Sequence, residues 1–257
     1  MTTPWIDGTH NSRDTGGMPL RHGGATRSGV LYRSDALVGA TEAGLATLAQ
    51  SPIGVIVDFR TDIERAQAPD RLPVVRDIRV VQLSILEAAL AMPAELKLDE
   101  AATKTLLSRI PTLSDLYLGM LQHSPLAFAE VARLIVSPPD AAHPAVLVHC
   151  TAGKDRTGMS TALLLDAVGV ERAAIVADYA SSQVNLAGEW SDGMLARMTA
   201  MGVPALPAII EVVTGTPPSA IEAALAWLDD RGGSAEYLLS GGLTQGELDG
   251  LRERLSA

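Results

Sequence analysis

Short apolar runs alternate with longer amphipathic stretches along this chain, a pattern typical of strands alternating with helices. The run Ala145–Val148 predicts a buried strand, and the stretch Met159–Val168 predicts the helix that follows it. Three further strands are predicted upstream, at Gly29–Ser34, Ile53–Val57 and Arg79–Leu83. The alternation favours an α/β fold: a central, mostly parallel sheet of four or five strands, with helices on both faces.

Capping residues mark several helix starts. Capping boxes, in which Ser or Thr is followed three residues later by Glu, are predicted at Thr61–Glu64, Ser219–Glu222 and Thr244–Glu247. Four further helices are predicted, at Thr41–Gln50, Ser114–His123, Pro125–Val136 and Glu171–Ser182. The stretch Ser84–Ile110 has no strand alternation and predicts two short helices around Pro93. No linker-like segment divides residues 1–257, so we expect a single domain with an insertion at about 84–110.

Composition and net charge argue against several classes of binding partner and cofactor. The formal net charge of −10 argues against nucleic acid or an anionic membrane surface as a bulk partner. The single cysteine, Cys150, excludes an internal disulfide, and no cluster of ligand-type residues predicts a metal. No signal peptide and no apolar run of about 18 residues is visible. We therefore expect a soluble, cytoplasmic protein with no integral membrane segment and no cofactor, and secretion without a signal peptide is the alternative.

The segment HCTAGKDRTG, His149 to Gly158, lies between the predicted strand and the predicted helix. A strand-to-helix turn directs backbone N–H groups inward, and the helix N-terminus adds a positive dipole end. This arrangement suits a tetrahedral phosphate and favours the thiolate form of Cys150. Arg156 follows Cys150 by six residues and offers a fork of donors that matches two phosphate oxygens. These residues predict a cysteine-dependent phosphatase rather than a buried core cysteine.

This segment resembles the signature loop of the protein tyrosine phosphatase superfamily. Its ending, GKDRTG, is most similar to the bacterial tyrosine and lipid phosphatases, a group that has a secreted mycobacterial member. The stretch Asn11–Gly17 resembles the opening motif of that group, although Ser12 and Thr15 stand where apolar residues are usual. By position, residues 84–110 match an insertion that forms a helical lid in the mycobacterial relative. The resemblance extends from about Asn11 to the last helix.

Catalytic roles follow from the loop chemistry together with this resemblance. Cys150 is the predicted nucleophile, Arg156 clamps the phosphate, His149 orients the loop, and Thr157 donates its hydroxyl to the sulfur. Asp58, at the end of the strand Ile53–Val57, is the predicted acid that protonates the leaving oxygen. Asp155, inside the loop, is the alternative acid.

The loop also supplies the predicted substrate contacts. Backbone N–H groups surround the phosphate, and Arg60 and Arg13 are candidate supporting arginines near the site. The loop residues assigned to substrate binding are Thr151, Ala152, Gly153, Lys154 and Asp155. Lys154 could hold a second phosphate, as on a phosphoinositide head group. Tyr179, in a helix after the loop, is interpreted as a core anchor.

The predicted function is phosphomonoester hydrolysis through a phosphocysteine, with dual specificity and phosphotyrosine proteins as the main substrates. Phosphoinositide hydrolysis and a catalytically inactive phosphate-binding module are the alternatives. A sulfurtransferase loop lacks the GKDRTG ending, and an arsenate reductase requires additional cysteines, whereas this chain has one. The physiological substrate, the lid and the oligomeric state stay open at this stage.

Overall fold

A computed structural model describes residues 4–85, 111–204 and 206–257 of the chain. In this part a five-stranded sheet has the order β1-β2-β5-β3-β4. The strands are β1 (Arg13–Asp14), β2 (Leu31–Ser34), β3 (Ile53–Asp58), β4 (Arg79–Gln82) and β5 (Ala145–His149). Only the β1–β2 pair is antiparallel, and the other three pairs are parallel. The predicted α/β fold with a mostly parallel sheet is confirmed.

The described helices cover both faces of this sheet. They are α1 (Glu42–Gln50), α2 (Asp62–Gln67), α3 (Leu113–His123), α4 (Pro125–Val136), α5 (Asp155–Ala167), α6 (Arg172–Asn185), α7 (Glu189–Ala200), α8 (Pro207–Thr214), α9 (Pro218–Asp229), α10 (Gly233–Ser240) and α11 (Gln245–Leu255), with a short 3-10 helix at Leu37–Gly39. No helix within the described ranges is long and apolar enough to cross a bilayer.

The central strand β5 separates two hydrophobic cores. Val146 and Val148 point into the larger core, which contains side chains of α3, α4, α5, α9 and α11, whereas Leu147 points into a smaller core with Leu48 of α1. Every residue of β5 is buried, because a parallel strand with covered faces meets apolar partners on both sides. This position makes β5 a rigid base for the residues that follow it.

Local signals predicted most boundaries. Thr61 and Thr244 cap α2 and α11 through complete capping boxes, as predicted. The capping box predicted at Ser219–Glu222 is wrong, because α9 begins at Pro218 after Pro217 and no side chain caps it. Proline fixes φ near the helical value, so it starts the helix one residue before the serine. The predicted helical insertion at residues 84–110 lies almost wholly outside the described residues.

Helix α5 begins four residues earlier than the apolar pattern predicts. It starts at Asp155 rather than Met159, so the residues from Asp155 to Gly158 form its first turn. All residues from Arg156 to Ala167 are buried. The hydrophobic pattern misses this first turn because its polar residues face a functional site instead of solvent.

Candidate active site

The loop between β5 and α5 lies at the carboxyl edge of the parallel sheet. Backbone hydrogen bonds join it to both neighbours: the Ala36 amide donates to Thr151 O at 3.1 Å, and the Phe59 amide donates to His149 O at 3.0 Å. Cys150, the first loop residue, is only 2% exposed. Open α/β sheets place ligands at this edge, so the structure brings the predicted nucleophile to the usual position of a binding site.

The carbonyl groups of the loop point outward to fixed donors. Asn11 Nδ2 donates to Ala152 O and Gly153 O at 3.1 and 3.0 Å, and Arg33 Nη2 donates to Gly153 O at 2.7 Å. In a trans peptide the N–H points opposite to the C=O. The amides of Gly153 and Lys154 therefore point away from Asn11 and Arg33, and the turn can bind an anion through its backbone.

Gly153 is required by this geometry. Its φ of +64° lies in the left-handed region, and a Cβ there would lie 2.3 Å from Ser34 O and 2.5 Å from the Asp35 amide. Any larger residue would push the loop off the end of β2.

A buried ion cluster supports the loop from behind. Arg13 and Arg33 both bind Asp178 of α6, and Arg13 also donates to both oxygens of Asn11. Burial alone would raise the pKa of Asp178, but the two arginines outweigh it and hold the pKa below its ordinary value. Burial and the neighbouring Arg33 lower the pKa of Arg13 to about 10. Arg13 thus orients Asn11, and its predicted contact with substrate stays a prediction.

Glu64 of α2 holds the guanidinium of Arg156. Arg156 Nη1 and Nη2 donate to Glu64 Oε2 and Oε1 at 2.8 and 2.7 Å, a bidentate pair. The Thr151 hydroxyl donates to the same carboxylate at 2.6 Å. Burial would raise the pKa of Glu64, but Arg156, Thr151 and the Thr61 amide hold it well below the ordinary range. Glu64 stays ionised and binds the Nη1–Nη2 edge of the Arg156 guanidinium, which fixes the orientation of that side chain.

Lys154 and Asp155 face different partners. Lys154 is 1% exposed, and its Nζ donates to Val212 O at 2.7 Å and Gly215 O at 2.9 Å, at the C-terminal end of α8. Asp155 Oδ1 lies 3.4 Å from Lys154 Nζ and accepts a hydrogen bond of 2.7 Å from the Tyr117 hydroxyl. The Lys154 ammonium is already bound to the protein, so a second phosphate would have to displace these carbonyl groups.

The other predicted acid, Asp58, lies in a closed cluster beneath the loop. Arg60 donates to both Asp58 oxygens, through Nε at 3.0 Å and Nη2 at 2.8 Å, and Asp58 is 1% exposed. Arg60 Nη2 also binds Asp70 at 2.6 Å. Arg60 and the carboxylates of Asp58 and Asp70 bind one another. Neither Asp58 nor Arg60 therefore extends into the loop in this arrangement.

His149 connects this cluster to the nucleophile. Its Nδ1 lies 3.2 Å from Cys150 O, and its Nε2 lies 3.3 Å from Asp70 Oδ2. Burial would raise the pKa of Asp70, but His149 and Arg60 lower it below the ordinary value. The imidazole thus fixes the peptide that carries Cys150.

One group within the described ranges places metal-type ligands together: Asp58, Asp70 and His149, with ligand atoms within 4.8 Å of one another. Arg60 supplies positive charge to both carboxylates at this position. A divalent cation would be repelled by that guanidinium, so the residues present do not fit a metal.

Sequence comparison agrees with the loop geometry. The model of a family described as the tyrosine phosphatase family matches residues 4–257. The chain belongs to the tyrosine phosphatase family. It is a phosphatase of the phosphoric monoester hydrolase type, as its residues and the resemblance predicted.

Relatives of this phosphatase carry consistent names. It is 30% identical over 235 residues to a protein of Cupriavidus necator named as a tyrosine-protein phosphatase, covering 91% of this chain and 81% of that protein. It is 31% identical over 209 residues to the triple specificity protein phosphatase PtpB of Mycobacterium tuberculosis, covering 71% and 70%. A tyrosine-protein phosphatase of Nostoc commune is 38% identical over 152 residues, covering 59% and 48%. The predicted relationship to the mycobacterial enzyme is confirmed.

Several residues that shape the phosphatase loop were missed by sequence analysis. The sequence pattern assigned Glu64 only to a capping box. In the structure Glu64 completes that box and also forms an ion pair with Arg156. Arg33, Asp178 and Tyr117 were given no role in the site, although the stretches Gly29–Ser34 and Asp178–Ser181 resemble the family pattern. The Thr157 hydroxyl is buried and has no hydrogen-bond partner among the described residues, so its predicted bond to sulfur is not made here.

Proposed function

We propose that this phosphatase hydrolyses phosphotyrosine in proteins through a phosphocysteine intermediate on Cys150. One observation carries the proposal: Cys150 and Arg156 share one anion-shaped turn, whose carbonyls are held outward by Asn11 and Arg33. A nucleophile at the base of such a turn meets a bound phosphate in line with its leaving group. Arg156, aimed by Glu64, places charge where it develops on the phosphate oxygens.

In the first step the Cys150 thiolate attacks phosphorus and forms the S–P bond. The P–O bond to the tyrosine oxygen breaks, its electron pair goes to that oxygen, and a carboxylic acid supplies the proton. In the second step water attacks phosphorus, the same carboxylate takes the water proton, and the thiolate leaves. A rotation of the buried Thr157 hydroxyl toward sulfur would stabilise that leaving thiolate.

Asp155 is the acid that the geometry supports. It lies at the first turn of α5, beside Arg156, and its side chain is 16% exposed. Asp58 is 1% exposed, and both of its oxygens bind Arg60. A buried carboxylate that is engaged on both oxygens has no route to a leaving group, whereas a partly open one at the loop has.

Replacement of Asp155 by asparagine is expected to lower kcat roughly a hundredfold for phenyl phosphate, a poor leaving group. The loss should be much smaller for p-nitrophenyl phosphate, because a good leaving group needs little protonation. The alkaline limb of the pH–rate profile should also disappear. If Asp58→Asn, rather than Asp155→Asn, produces this dependence on the leaving group, the assignment to Asp155 is wrong.

Phosphotyrosine is the substrate class that the contacts favour. A phosphoinositide preference was predicted because the Lys154 ammonium could bind a second phosphate. In the structure that ammonium donates to the carbonyl oxygens of Val212 and Gly215. The names of the relatives also specify tyrosine-protein phosphatases, and that of PtpB specifies a triple specificity protein phosphatase. We infer that protein phosphotyrosine is the main substrate, with dual specificity as the wider range.

Acid quench during turnover tests the proposal. Phosphotyrosine peptide and a phosphoinositide panel are supplied side by side, and the peptide that contains Cys150 is analysed for bound phosphate by mass spectrometry. We expect phosphate on Cys150 and faster release from the phosphotyrosine peptide. Faster release from phosphoinositides would overturn the substrate class. Absence of release from every substrate would favour the inactive phosphate-binding module.

A further inference from the structure

Two buried tyrosines make a hydrogen-bonded chain to Asp155. Tyr117 of α3 and Tyr179 of α6 are at most 1% exposed, and their hydroxyl oxygens lie 2.7 Å apart. The Tyr117 hydroxyl lies 2.7 Å from Asp155 Oδ1. The two rings pack edge to face, with centroids 5.9 Å apart. Side chains of α3, α5 and α6 therefore form one hydrogen-bonded chain that ends at the Asp155 carboxylate.

The direction of this chain follows from the chemistry of its groups. An ionised carboxylate can only accept hydrogen bonds, so the Tyr117 hydroxyl donates to Asp155. Having used its one proton, the Tyr117 oxygen accepts from the Tyr179 hydroxyl. Burial first, and the charge of Asp155 second, raise the pKa of Tyr117 well above its ordinary value. Burial also raises the pKa of Tyr179. Both phenols thus stay donors throughout the working pH range.

The contacts to Asp155 fall on one oxygen. Tyr117 and Lys154 both approach Oδ1, and within the described part of the chain no contact is made to Oδ2. The anchored oxygen fixes the rotamer of the carboxyl group, and the other oxygen is left to carry the proton. The charged and titratable groups that face Asp155 are Lys154 on its own turn, Tyr117 from α3 and, behind it, Tyr179 from α6.

We propose that Tyr117 is a positioning residue that anchors Asp155 Oδ1 and fixes the orientation of this carboxyl group for proton transfer, with Tyr179 reinforcing it. This inference rests on the proposed function, in which Asp155 is the general acid. When Asp155 gives up its proton, the charge left on the carboxylate is stabilised by the donor at Oδ1. Polarisation along the chain strengthens the Tyr117 bond when Tyr179 donates to it.

Removal of single hydroxyl groups tests this inference. In Tyr117→Phe the Asp155 carboxyl group loses the donor that orients it. Hydrolysis of phenyl phosphate should slow roughly threefold to tenfold, and that of p-nitrophenyl phosphate less. Tyr179→Phe should change the ratio of the two rates in the same direction by a smaller amount. This second variant keeps the test valid if Tyr117→Phe folds poorly in thermal melts.

Tyr237→Phe is the matched control. The Tyr237 hydroxyl is also buried and donates to Leu121 O of α3 at 2.6 Å, and within the described residues it makes no hydrogen bond to the loop. Its removal should lower thermal stability and leave the leaving-group dependence unchanged.

The outcomes separate this inference from the function on which it rests. If the ratio of phenyl phosphate to p-nitrophenyl phosphate hydrolysis in Tyr117→Phe and Tyr179→Phe matches that of Tyr237→Phe, the tyrosines act only in packing and the inference is overturned. If Asp155→Asn does not become more dependent on the leaving group than the wild type, the acid assignment fails and the inference fails with it. Phosphocysteine that forms normally in all tyrosine variants leaves the nucleophilic step of the proposed function intact in either case.

Discussion

Replacement of Cys150 by serine is expected to lower the rate of phosphotyrosine hydrolysis by roughly ten-thousandfold or more. A serine hydroxyl has the same reach as the thiol, but it is essentially un-ionised at neutral pH and is a poor leaving group from phosphorus. The loop itself should survive, because its shape depends on Gly153 and on the donors Asn11 and Arg33 rather than on the sulfur. Phosphate release from a phosphotyrosine peptide measures the effect.

Binding of the phosphotyrosine peptide is the control for Cys150→Ser. Cys150→Ser should still bind the phosphotyrosine peptide, as measured by titration calorimetry, because Arg156 and the loop amides are unchanged. Hydrolysis that persists at the wild-type rate in this variant would remove Cys150 as the nucleophile. Loss of binding together with hydrolysis would instead indicate a collapsed loop.

Replacement of Arg156 by lysine is expected to lower kcat/KM roughly a thousandfold, the range typical of an arginine that stabilises a phosphoryl transition state. A lysine keeps one positive charge but cannot bind Glu64 and two phosphate oxygens through one planar fork. Steady-state kinetics on the same phosphotyrosine peptide gives the value.

The loss of kcat/KM in Arg156→Lys should be independent of pH. The Arg156–Glu64 pair depresses the pKa of Glu64, so its contribution is fully present above about pH 4.3, the ordinary glutamate value, and is lost only as the pH falls through the depressed value. Between pH 5 and 8 the ratio of wild-type to variant kcat/KM should therefore stay constant. Arg172→Lys, which alters an arginine paired with Asp166 and Asp229, is the matched control and should retain wild-type kinetics. A similar loss in that control would point to general destabilisation.

Predictions from the sequence were correct for features that depend on residues close together in the chain. The capping box at Thr61 closes within three residues, and the strand Ala145–His149 is apolar because both of its faces are covered. The spacing from Cys150 to Arg156 spans one turn between that strand and α5. Each of these features depends on neighbours along the chain, which a pattern of residue types records.

The roles predicted for Asp58 and Lys154 depend on distant partners, which the sequence does not show. Asp58 was the leading candidate for the acid because it follows a buried strand, but both of its oxygens bind Arg60. Lys154 was expected to meet substrate, but its ammonium meets carbonyl groups at the end of α8. The sequence does not show whether a carboxylate or an ammonium group is exposed or already paired. Its burial and its partners are known only from the folded structure.

The groups that the proposed chemistry uses can be identified from the amino-acid sequence: one thiol, one arginine six residues later, and a strand and a helix on either side of the turn. The groups that support this turn can be identified only from the folded structure. Glu64 lies 92 residues before Arg156 and Tyr117 lies 38 residues before Asp155, yet each is in hydrogen-bond contact with its partner. Such pairs form because parallel strands and packed helices bring remote segments to one edge of the sheet, and no local pattern of residues specifies which remote side chains meet there.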